Sequence, residues 1–158
     1  GKQVWDEIIL SIPVIGGLNK KIATTRMSTS INVLLKGGLP IASSLEISGR
    51  VVDNIIFQRI LNETADDIRK GGSISGSFAR YPDYFPPMVT QMIVIGENSG
   101  KIDELLEKVA TFYNEEVQNA INNAVELIQP ILIVFLGVFI GLFVAAVLIP
   151  IYNLAQIF

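Results

Sequence analysis

The last 32 residues, Leu127–Phe158, contain no charged side chain. Within them "PILIVFLGVFIGLFVAAVLIP" runs from Pro130 to Pro150, and 15 of the 19 residues between these prolines are Ile, Leu, Val or Phe. As an α-helix, Ile131–Ile149 would be about 28 Å long, close to the ~30 Å hydrocarbon core of a bilayer. At roughly 0.3–0.6 kcal/mol per apolar residue, insertion is favourable by about 5–9 kcal/mol. A core helix of a water-soluble domain keeps a polar edge, and this segment has none. It reads as one transmembrane helix. Its Gly137 and Gly141 form a GxxxG pair, extended by Ala145, along which a second helix can approach closely.

All 12 Lys/Arg and all 15 Asp/Glu lie at or before Glu126, so the rest of the chain reads as a water-facing domain. There is no Cys, which excludes disulfides, thiol catalysis and zinc fingers. There is no His, the commonest general base and transition-metal ligand. A net charge of −3 argues against nucleic acid as a partner. The chain opens on Gly with no signal-peptide pattern and is expected to be a piece of a longer protein.

Apolar spacing in the polar part is helical throughout, and no window alternates with period two. Val4, Trp5, Ile8, Ile9 and Ile12 predict a first helix, broken by "IPVIGG" (12–17). A second follows over Leu18–Lys36 and stops at "KGG" (36–38). Pro40 opens a third, "PIASSLEISGRV". Asp53 or Asn54 caps a fourth, which ends at a second "KGG" (70–72). "SISGSFARYP" is a short fifth element, and Pro86 or Pro87 begins a sixth, "MVTQMIVIG". After "GENSGK" (96–101), where Asn98 or Ser99 is expected to cap, a long helix starts near Lys101. It runs towards the membrane with Pro130 as a kink point. The expected fold is all-α: an antiparallel bundle of about six helices whose last helix continues into a single transmembrane helix. The expected divisions are an N-terminal helix and linker (1–17), a bundle with stem (18–129), the span (130–150) and a short tail (151–158).

No constellation for catalysis emerges. "GENSGK" has three residues between its glycines where a phosphate loop needs four, and Ile102 stands where that loop has Ser or Thr. The acidic pairs Asp66/Asp67, Asp103/Glu104 and Glu115/Glu116 are helix neighbours about 100° apart, which reads as solvated faces. Charge is nevertheless uneven. Lys20–Arg50 holds five basic residues and one acid, whereas Glu97–Glu126 holds seven acids and two lysines. The basic stretch either pairs with the acidic stem, faces anionic lipid or is simply solvated.

The order of motifs carries a family resemblance. "LLKGGLPIASSLEI" (34–47), "IRKGGSISGSF" (68–78), "FPPMVTQMIVIGENSGKIDELL" (85–106) and "QPILIVFLGVFIGLFVAAVLIPIYNL" (129–154) occur in sequence. Together they closely resemble the inner-membrane platform protein of type II secretion and type IV pilus systems, the F/PilC family. "IPVIGGL" (12–18) looks like that family's entry into its second cytoplasmic domain. The resemblance implies a second helical cytoplasmic domain plus the last membrane helix, in the bacterial inner membrane, with the bulk on the cytoplasmic side and the tail outside. It implies a non-enzymatic scaffold without cofactors or metals, coupling an assembly ATPase to polymerisation of pilins or pseudopilins. Its implied partners include other inner-membrane platform proteins, the lipid bilayer and further copies of itself as a homo-oligomer. Gly38, Gly72, Gly96, Glu97, Gly100, Pro130, Gly137 and Pro150 match family motif positions, and Gly141 completes the GxxxG pair. The family commonly has Glu before the proline that opens the span, where this chain has Gln129. The alternative is a membrane-anchored helical protein-binding module outside any secretion system.

Overall fold

The structure, a computed structural model, describes residues 13–158. The helix expected before Ile12 lies outside the described residues. Six helices follow in order: α1 (Pro13–Lys36), α2 (Ile41–Val51), α3 (Ile55–Arg69), α4 (Ile74–Phe78), α5 (Pro87–Ser99) and α6 (Ile102–Ile157). No strand occurs among the described residues. The chain divides into a compact bundle ending at Gln118 and a second unit, Asn119–Phe158.

Two helix ends differ from the spacing-based reading. The first described helix already includes Pro13 and carries Gly16 and Gly17 inside it, instead of breaking there. One interior glycine weakens a helix by about 1 kcal/mol without ending it. The last helix does not stop at Pro150 but continues to Ile157, with Pro130 and Pro150 both internal. Long apolar helices tolerate interior proline.

In the bundle, α1 packs on α2, α2 on α3, α3 on α4, and α4 on α5. Periodic apolar positions form one core. Met27 and Ile31 come from α1, Leu45 from α2, Ile56, Phe57, Ile60 and Leu61 from α3, and Val89 and Ile93 from α5. The first part of α6 joins through Leu106, Val109 and Tyr113. Phe78 and Phe85 stack at 3.9 Å between ring centroids, and Phe57 meets Phe85 edge-on at 5.5 Å. Full burial of each such ring is worth about 1.5–3 kcal/mol.

The charge asymmetry resolves in part into pairing. Lys21 bonds Glu116 at 3.1 Å and Lys36 bonds Glu107 at 2.7 Å, so α1 and the start of α6 run antiparallel. The Glu107 carboxylate raises the pKa of Lys36. Between these pairs α1 turns a polar row into the protein: Thr24, Ser28 and Asn32, four residues apart and all buried. Ser28 Oγ and Asn32 Oδ1 have no hydrogen-bond partner among the described residues. A buried, unpaired hydroxyl costs about 1–3 kcal/mol. Ser28→Ala is therefore expected to raise the stability of the detergent-solubilised chain by about 1 kcal/mol, read as a higher thermal unfolding midpoint. A lower midpoint would show that Ser28 finds a partner.

The second unit is the continuing helix, beginning at Asn119. Its apolar side chains from Ile131 to Ile149 are exposed, and nothing lies within 4 Å of a β-carbon built on Gly137 or Gly141. It belongs to the one helix among the described residues long and apolar enough to cross a membrane.

Candidate functional site

The motif residues that belong to the bundle converge on its helix corners. Three helices end in the same way. A glycine in the left-handed region (Gly38, φ 85°; Gly71, φ 91°; Gly100, φ 72°) is followed by a residue whose N–H bonds the carbonyl five positions back. These bonds are Leu39 to Leu34 (3.1 Å), Gly72 to Asp67 (2.8 Å) and Lys101 to Gly96 (3.0 Å). This is the Schellman arrangement, in which glycine adopts the required φ without steric penalty. In the second corner the left-handed residue is Gly71, not Gly72. Gly72 has another reason to be glycine: a β-carbon there would lie 3.0 Å from the Asp67 carbonyl oxygen.

At the third corner two backbones meet. A β-carbon on Gly96 would lie 3.0 Å from Ile102 Cα, so α6 can start against α5 only where α5 carries no side chain. Ser99, expected to cap α6, instead directs its hydroxyl at the Gly96 carbonyl (3.5 Å). The N–H groups of Gly100 and Lys101 both bond Gly96 O. They are consumed within the corner and do not point outward as a phosphate cradle would.

Glu97 reaches away from its own corner to the N-terminus of α4. Its Oε1 accepts from the backbone N–H of Ile74 and of Ser75 (3.3 Å), and its Oε2 accepts from the Ser75 hydroxyl. Ser73 Oγ takes the N–H of Gly76 at 3.0 Å, and the Ser73 carbonyl takes that of Ser77. All four opening N–H groups of this five-residue helix are thereby satisfied, two of them by a carboxylate from another helix. Negative charge at a helix N-terminus is also favoured by the backbone dipoles.

Two further carboxylates hold the same element from the α3 side. Asp67 Oδ2 accepts from the Ser77 hydroxyl at 2.7 Å and from Arg80. These bonds, Ser77 first, lower the Asp67 pKa. Glu63 accepts from the Tyr81 hydroxyl, which together with burial raises the tyrosine pKa. Asp67 and Glu116 are thus engaged rather than simply solvated, and Asp66 turns instead to Arg69 at 3.6 Å. On α3, Asn54 is the cap: its Oδ1 accepts from Ile56 N (3.0 Å) and Phe57 N (3.2 Å).

Sequence reading found the corners but missed the partners. Glu97 lies 22 and 23 residues from the groups it caps. The one available signal was "GGSIS", a short helix whose own Ser73 accounts for only part of its N-terminus. Chemically, these carboxylates are engaged by fixed donors of the same chain. Among the described residues no group of three or more acidic, His or Cys side chains has metal-site geometry.

Fold and corners together define a class: an all-helical bundle, fastened by carboxylates across helix ends, leading into a helix of membrane-spanning length. The family described as type II secretion system protein F matches residues 27–150, and the chain belongs to that family. It is 36% identical over 154 residues to the type IV pilus assembly protein PilC of Thermus thermophilus, covering 98% of this chain and 38% of that protein. The Myxococcus xanthus PilC is 35% identical over 155 residues, with 98% and 37% covered. The type II secretion system protein F of Pseudomonas aeruginosa is 30% identical over 156 residues, with 99% and 38% covered. The chain thus spans less than two fifths of the length of these relatives.

Two outcomes test the corner. Glu97→Ala should destabilise the bundle by about 1–3 kcal/mol, with Glu97→Gln intermediate because its amide oxygen still accepts, as read by chemical denaturation. For Asp67, a lowered folded pKa means its stabilisation is present above the ordinary carboxylate pKa of about 3.9 and is lost as pH falls through the folded value. Melting midpoints should therefore drop below about pH 4, with a shallower drop in Asp67→Asn.

Proposed function

We propose that this chain is the membrane-anchored helical part of a platform protein that serves assembly of type IV pili or type II secretion pseudopili. In this reading it is not an enzyme. It is a scaffold in the bacterial inner membrane, with the bundle on the cytoplasmic side and the end of α6 outside. It couples a cytoplasmic assembly ATPase to the polymerisation of pilins or pseudopilins, alongside other inner-membrane platform proteins and further copies of itself. The supporting relatives are named for both pilus assembly and type II secretion.

The observation that carries the reading is the span of α6. This one 56-residue helix supplies Leu106, Val109 and Tyr113 to the bundle core and also contains the uncharged run from Leu127 to Ile157. In this reading the helix that both share is what couples the bundle to the membrane segment. The glycine corners at Gly38, Gly72, Gly96 and Gly100, with Glu97, set the helix crossings of the bundle. The row Gly137, Gly141 and Ala145 and the flanking Pro130 and Pro150 serve packing of the span against other membrane helices.

The test is a chromosomal Gly96→Val or Gly100→Val change, scored for surface pili or secreted substrate and for protein in the membrane fraction. The variants should accumulate in the membrane and fail to assemble, because α6 leaves α5 at an altered angle. Normal assembly in both would count against the platform reading. Site-specific crosslinking of the bundle to the ATPase in intact membranes addresses the coupling directly.

A further inference from the structure

Three of the five basic residues between Lys20 and Arg50 have a recipient among the described residues. Lys21 and Lys36 bond Glu116 and Glu107, and the Lys20 ammonium sits 4.9 Å from the centre of the Tyr84 ring. The other two are arginines. Arg26 makes no hydrogen bond or ion pair among the described residues. Arg50 attracts Glu46 only through space, and the Glu46 carboxylate is bonded by Arg69.

One of these arginines belongs to a groove. Arg26, Val33 and Leu34 of α1 and Ile47 and Val51 of α2 line a cavity of about 430 Å³. Val33 and Val51 are 61% and 55% exposed, although both are apolar and β-branched and they stand on adjoining helices. No carboxylate lines this groove among the described residues. It is therefore an apolar trough whose one lining charge is the unpaired Arg26.

Its dimensions and charge select the occupant. From Thr25 to Leu34 the α1 wall runs about 14 Å, two and a half turns, enough to seat side chains at i, i+3 or i+4, and i+7 of another helix. A lipid surface would meet a convex face, whereas the trough between α1 and α2 is concave. We propose that this groove docks an amphipathic helix of a protein partner, with apolar residues seated on Val33, Leu34, Ile47 and Val51. A carboxylate of that helix pairs with Arg26, since guanidinium groups bind carboxylates through two parallel hydrogen bonds. The inference stands on the groove alone and does not require the platform reading.

The test uses the full chain in nanodiscs of phosphatidylcholine and a labelled synthetic 16-residue helical peptide. The peptide carries Leu at i, i+4, i+7 and i+11 with flanking Glu, and a second version has Lys for every Glu. Fluorescence anisotropy should show the Glu peptide binding at least ten-fold tighter than the Lys peptide. Arg26→Glu should remove that preference, and Val33→Glu should weaken the Glu peptide at least ten-fold. The altered side chains are exposed, so circular dichroism should not change; Val51→Glu on the facing wall repeats the test if Val33→Glu disturbs folding. Equal affinity for both peptides, or indifference to all three substitutions, overturns the proposal. Two other outcomes also overturn it. One is binding to phosphatidylglycerol vesicles, lost in Arg26→Glu, without peptide binding, which makes the groove a lipid contact. The other is a fall in oligomer mass with Val33→Glu and no peptide binding, which makes it an interface between copies.

Discussion

The bundle depends on a place where a side chain cannot be. Residue 96 faces the backbone of Ile102 so closely that even a methyl group would contact its Cα at 3.0 Å. Gly96 lets α5 and α6 touch backbone to backbone, and the left-handed Gly100 reverses the chain between them within one residue. That reversal sends Leu106, Val109 and Tyr113 back into the core laid down by α1–α5. It also sets Glu97, one residue after the contact, beside the start of α4. A shift of α6 on α5 would disturb the core face and the cap together, because interiors packed at crystal-like density transmit displacement rather than absorb it.

The acidic side chains show the same economy. Glu63, Asp67 and Glu97 come from two helices and meet α4 and the turn that follows it, where they accept from hydroxyls, a guanidinium and free backbone N–H groups. α4 has only five residues, too few to be stable as an isolated helix. What orders it is tertiary: an aromatic underside at Phe78 and carboxylates at its end and flank. Acidic pairs that look like candidates for acid–base chemistry are in this way used as fasteners, their lone pairs already committed to donors of the same chain.

In α6, length rather than sequence motif is the informative quantity. The uncharged helical run from Leu127 to Ile157 is about 46 Å long, against a hydrocarbon core of ~30 Å. The helix therefore outlasts the apolar layer it is suited to, and Pro130 and Pro150 mark the limits of the most apolar 19 residues without interrupting it. A membrane accommodates such an excess by tilt or by carrying helix into the interfacial region.

Helix content, the three glycine stops and the membrane-length segment were all legible from the sequence, because each rests on a local property: spacing of apolar residues, the φ that glycine alone adopts easily, and the absence of charge. The apolar spacing of α3 gives a face of Ile56, Ile60, Leu61, Ala65 and Ile68, of which the first four are buried and Ile68 is partly buried against the same core. Legibility failed where local rules tie. "IPVIGG" reads as a break by composition, yet Pro13 to Gly17 are helical; "KGG" does not say which glycine turns left-handed. Tertiary structure alone decided that Glu97 caps α4, that Asp67 holds Ser77 and Arg80, that Lys21 and Lys36 find the stem, and that Arg26 is left over beside an apolar groove. Those outcomes depend on which helix ends meet in space. Pairings between residues 10 to 95 positions apart leave no periodic trace along the chain.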